Sequence, residues 1–137
     1  MSSRLTRRAL TLGALACALL PTSTAWAGTY LNRASFLIAG ALREGGYLRA
    51  RFSDRELARV TQRVAQARLE AAREMAVPKE VILAHPHLLL VLESFVQAAE
   101  AATRGEVERF LQYHQKALDE ERTFRTVLKQ LGWVLPD

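Results

Sequence analysis

VERFLQYHQKALDEERTFRTVLKQL, residues 107–131, is the longest unbroken helical pattern in the chain. Within it Val107, Phe110, His114, Ala117, Glu121, Phe124, Leu128 and Leu131 step by three and four residues, so all eight share one stripe of a helix. Gly132 suits the left-handed position that closes a helix, and Trp133 is placed to fold back onto Leu128. Two members of the stripe, His114 and Glu121, are polar where a packing seam expects hydrocarbon. This helix is therefore either the inner wall of a site or an imperfect packing face.

The same periodicity extends toward the N-terminus. Pro86 suits the first turn of a helix, and Leu88, Leu92, Phe95, Ala99 and Ala102 carry that helix to about Thr103, ahead of Gly105. It is the most apolar of the four expected helices. Before it, Val77-Pro78 stops an earlier helix, because the residue preceding proline is pushed out of helical geometry. That earlier helix opens on a capping box of Ser53 and Glu56 with a staple of Phe52 and Leu57, and its expected seam is Leu57, Val60, Val64, Ala67 and Ala71. The first helix begins near Tyr30 on Leu31, Ala34, Ile38, Ala41, Gly45, Leu48 and Phe52. Two adjacent glycines cost it roughly 2 kcal/mol relative to alanine, yet the phase is unchanged across Gly45-Gly46, which argues for one continuous helix. Four amphipathic segments with short connections and no alternating strand pattern give an all-α fold, an up-down antiparallel four-helix bundle.

The start of the chain has the character of an export signal. Arg4, Arg7 and Arg8 precede the apolar run at residues 9–20, Pro21 breaks it, and Ala25-Trp26-Ala27 places small residues where a signal peptidase reads. The expected division is a signal peptide at residues 1–27 and one helical domain at residues 28–137, working in the periplasm or as a secreted protein. Thr6-Arg7-Arg8-Ala9-Leu10 resembles a twin-arginine signal, with Thr11 departing from the usual leucine, so both that route and the general secretory route stay open. Cys17 resembles a lipoprotein acceptor only loosely, since Ala14 stands where leucine is usual, and a lipid anchor there is not expected.

Trimming also changes the charge. Three of the 19 Lys and Arg and none of the 14 acids leave with the signal, so the formal charge falls from +5 to +2. That weakens any case for nucleic acid as a partner. Removing Cys17 leaves no thiol, which excludes disulfides, thiolate zinc sites and covalent c-type haem.

Counting outward from the last turn puts His114 opposite Phe95, Glu121 opposite Leu88, and His85 level with Phe124. Around the earlier turns, the same counting brings Gly45 and Val60 to the height of His114, with Glu44 and Glu93 one step away. His114, Glu93 and Glu44 thus form a candidate carboxylate and imidazole site for a metal or haem. The Glu-x-x-His pairs of ferritin-like di-iron bundles do not occur. His85-Pro86-His87 offers two more imidazoles, with His85 expected to cap a helix and His87 to be solvated. No G-x-S-x-G turn or phosphate loop is present, so catalysis is not expected. Arg51, Arg55, Arg59 and Arg63 lie in a basic region around the first turn and are candidate partner-binding residues, suited to an acidic partner or an anionic membrane surface. The apolar surplus at residues 88–92 suggests a homodimer or a protein partner. The expectation is an exported bundle acting by binding; a periplasmic metal, haem or ligand carrier built on His114 is the alternative.

Overall fold

A computed structural model describes residues 22–137. They form α1 (Thr22–Ala50), α2 (Arg55–Glu74), a 3-10 turn (Lys79–Val81), α3 (His85–Thr103) and α4 (Val107–Gln130), with no strand among the described residues. The architecture is all-helical and consistent with a four-helix bundle. Ion pairs tie successive helices together. Arg68 of α2 reaches back to Glu44, Arg73 pairs with Glu93 of α3, and His87 of α3 meets Glu120 of α4.

The most apolar helix takes the middle. α3 packs most closely against α4 and α2 and also against α1, and it buries Leu88, Val91, Leu92, Phe95, Ala99 and Ala102. Each large apolar side chain removed from water in this way contributes about 1.5–3 kcal/mol. The surplus hydrocarbon of residues 88–92 is used inside the chain, with Leu89 and Leu90 half-buried, so it no longer argues for a partner on this helix. One core cluster gathers Tyr30, Ile38, Leu92, Phe124 and Leu128, and a second gathers Leu48, Ala58, Ala99 and Phe110.

α1 runs unbroken through Gly45-Gly46 and buries Leu31, Ala34, Ile38, Ala41, Gly45 and Leu48, as its stripe predicts. α2 does not follow its prediction. It buries Ala58, Thr61, Ala65, Leu69 and Ala72, leaving Val60, Val64, Ala67 and Ala71 exposed. The two stripes differ by one residue, which is about 100° of rotation. Small side chains won because they let α2 settle closely against the alanine-rich end of α3, where Ala58 shares a core cluster with Ala98, Ala101 and Ala102. The helix is capped by Asp54 rather than Ser53: its carboxylate accepts from the Leu57 amide at 2.9 Å and adds negative charge at the helix N-terminus.

α3 begins one residue before Pro86, and its capping position is held by Ala84, so His85 is no cap. α3 and α4 both close on a left-handed glycine. Glu106 N donates to Ala101 O across Gly105, and Trp133 N donates to Leu128 O across Gly132, each completing a Schellman ending. The C-terminal tail lies on the bundle, with Leu135 buried and the Ser35 hydroxyl donating to Pro136 O at 2.7 Å. The arginine-led start, apolar run, twin-arginine resemblance and Cys17 lie outside the described residues. The expected cleavage point after Ala27 falls within α1, where Ala27 is fully buried.

Candidate functional site

His114 points inward, as its place on the α4 stripe allows. It is 8% exposed and packs at right angles to Phe95, 6.0 Å between ring centres, with Phe110 on its other side. Gly45 supplies the room, since a Cβ there would stand 2.7 Å from Phe95 and 3.1 Å from His114 Nε2. Burial, reinforced by the charge of Arg49, holds the imidazole below its ordinary pKa and so favours the neutral ring. Glu121, its polar companion in the sequence stripe, is only half-buried and pairs with Arg125 one turn on. Val107, at the head of the stripe, is half-exposed.

The expected triad of His114, Glu93 and Glu44 does not assemble. Glu44 is held by both terminal guanidinium nitrogens of Arg68 at 2.8 and 2.9 Å, and Glu93 lies toward solvent 3.7 Å from Arg73. Each acid is committed to a cation of α2, while His114 is walled in by rings. Among the described residues no three His, Cys, Asp or Glu side chains gather closely enough to hold a metal ion. The other imidazoles diverge as well. The Tyr30 hydroxyl and His85 Nδ1 share a part-buried hydrogen bond of 3.0 Å, and His87 pairs with Glu120 at 3.5 Å rather than standing free in water. Desolvation pushes the Tyr30 phenol well above, and the His85 imidazole below, the usual range.

The four arginines of the first turn do not act alike. Arg55 turns inward, donating to Phe52 O at 2.8 Å and to Ala102 O at 3.0 Å, with its guanidinium 5.2 Å from the Phe52 ring centre. It ties the first turn to the end of α3 and satisfies a carbonyl there, which is structural work. Arg51, Arg59 and Arg63 are exposed.

A surface missed by the sequence reading lies along the outer side of α1 and α2. Phe36, Gly40, Arg43 and Tyr47 step by four, three and four along α1; Val60, Val64, Ala67 and Ala71 do the same along α2. Phe36 is 79% exposed and Tyr47 56%. Arg68 crosses between the helices and covers Gly40, where a Cβ would stand 2.8 Å from its guanidinium. Beyond it the helices part into an open groove of about 730 Å³, walled by Phe36, Leu37, Ala71 and Met75 and rimmed by Arg33 and Glu74. Two signals for this surface were present in the sequence: the eleven-residue spacing of Phe36 and Tyr47 off the buried stripe of α1, and the second apolar stripe of α2.

Among the described residues no helix is long and apolar enough to cross a membrane. No known protein family, curated protein or solved structure matches this chain.

Proposed function

We propose that this protein is an exported helical bundle that works by binding a partner, a protein or an anionic membrane surface, without turnover of its own, and that the outer face of α1 and α2 is the surface it uses. One observation carries the reading: a phenylalanine and a tyrosine left outside on α1, alongside a valine and alanine stripe on α2 and an open apolar groove. Hydrocarbon of this extent, rimmed by charge, is the mark of an interaction surface rather than of a solvated helix. Export rests on the arginine-led apolar start and on Ala25-Trp26-Ala27. Trimming after Ala27 leaves Phe36 and Tyr47 in place.

A photo-reactive phenylalanine analogue at position 36, compared with the same group at Leu111 on the far side of α4, tests the face in the producing cell. Adducts are expected from position 36 and not from position 111. No adduct at 36, or equal yields at both, would remove the reading.

A further inference from the structure

We infer that the partner of the α1 and α2 face is an anionic lipid surface, which rests on that face being the working surface. Charge points the way. Residues 22–74 carry nine arginines against five acids, whereas residues 75–137 carry seven Lys and Arg against nine acids. The half of the molecule that exposes the aromatic and valine stripes is therefore positive, and the half behind it is negative. Arg33 and Arg43 of α1 and Arg59 and Arg63 of α2 are exposed and form no ion pair among the described residues, although Arg68 and Arg73 of α2 do. A polarised molecule of this kind presents its positive side to a plane of negative charge.

The arrangement of side chains narrows the partner further. A second copy docked through the same face would set these arginines against their own equivalents. Phe36 forms one wall of the groove yet is still 79% exposed, and a layer of lipid yields around a protruding ring, whereas a folded protein needs a pocket cut to receive it. Register places Tyr47 beside Val60 as Phe36 lies beside Ala71, so the two stripes run together for roughly 17 Å along the surface. Arginines interleaved with an aromatic and aliphatic strip are the composition of a helix lying in a headgroup layer. The molecule would rest with α1 and α2 flat on the bilayer, Phe36 and Tyr47 at the headgroup boundary, and the acidic half in water.

The test is co-sedimentation of the full chain with vesicles of phosphatidylglycerol and phosphatidylcholine, against vesicles of phosphatidylcholine alone. The apolar N-terminal run is common to every sample, so the readout is the extra retention on anionic vesicles. We expect that extra retention to be lost at high salt. It should weaken by at least about 30-fold in Arg43→Glu/Arg63→Glu, since losing two arginines costs roughly fivefold each near an anionic surface and the introduced acids add repulsion. Lys116→Glu/Lys129→Glu on α4 makes the same change in net charge and should shift it less than about threefold, while Phe36→Ser should weaken it with no change in net charge. Equal retention on both vesicles, or equal loss in the two charge-reversed pairs, overturns the lipid assignment. If position 36 cross-links to a protein while vesicles show no anionic preference, the binding face stands and lipid is not its partner. If neither occurs, the face itself is wrong.

Discussion

Gly45 and Gly46 are neighbours in α1 with opposite demands. Gly46 is exposed with open space where a Cβ would stand, so Gly46→Ala is expected to stabilise the protein by about 1 kcal/mol through helix propensity alone. Gly45→Ala gains the same propensity but drives a methyl into Phe95 and His114, and overpacking of this kind costs about 1–3 kcal/mol. Thermal melting should therefore show a rise for one and a fall for the other. His114 itself links the core to pH. Its folded pKa lies below the ordinary imidazole value because burial disfavours the charged ring, and His85 is shifted the same way. Below about pH 6.5 the unfolded chain takes up protons that the folded one refuses, so their contribution is complete above that pH and is lost as pH falls toward the lowered values. The melting temperature should drop between neutral and mildly acid conditions, and drop less in His114→Gln. An unchanged pH dependence in that variant would mean the ring titrates freely in the fold.

Elements whose sequence signals agreed were legible in advance. α1, α3 and α4 each offered one unambiguous stripe, and opposite-residue counting placed His114 against Phe95 and level with Gly45, as found. α2 offered two stripes one residue apart. Bulk favoured Val60 and Val64, but close approach to α3 favoured alanine, a preference that depends on the neighbouring helix and so is invisible in α2 alone. The proposed metal cluster failed for a related reason. Height along a bundle can be counted, but counting does not reveal that Arg68 and Arg73 occupy Glu44 and Glu93. Arg55 was grouped with Arg51, Arg59 and Arg63 by spacing, yet it alone bridges α2 to the carbonyl end of α3. Arg55→Ala is accordingly expected to cost about 1–3 kcal/mol, the scale for leaving a partly buried carbonyl without its charged donor, whereas Arg59→Ala should stay within about 0.5 kcal/mol. Equal effects in denaturant melts would show that Arg55 is an ordinary surface residue.

At the scale of the whole molecule, the same sorting of side chains produces both the fold and the candidate function. α3 absorbs most of the hydrocarbon of its partners, which leaves α1 and α2 free to carry apolar groups outward beside unpaired arginines. Net charge was legible in the sequence, but its segregation became meaningful only once α1 and α2 were seen to form one face. Hydroxyl-radical footprinting of the free full chain tests this partition most directly, because aromatic rings react in proportion to their contact with water. Phe36 and Tyr47 are expected to oxidise rapidly while Tyr30, Phe110 and Phe124 stay protected. Protection of Phe36 and Tyr47 in the free protein, or oxidation of Phe110 and Phe124 at the same rate, would contradict the account.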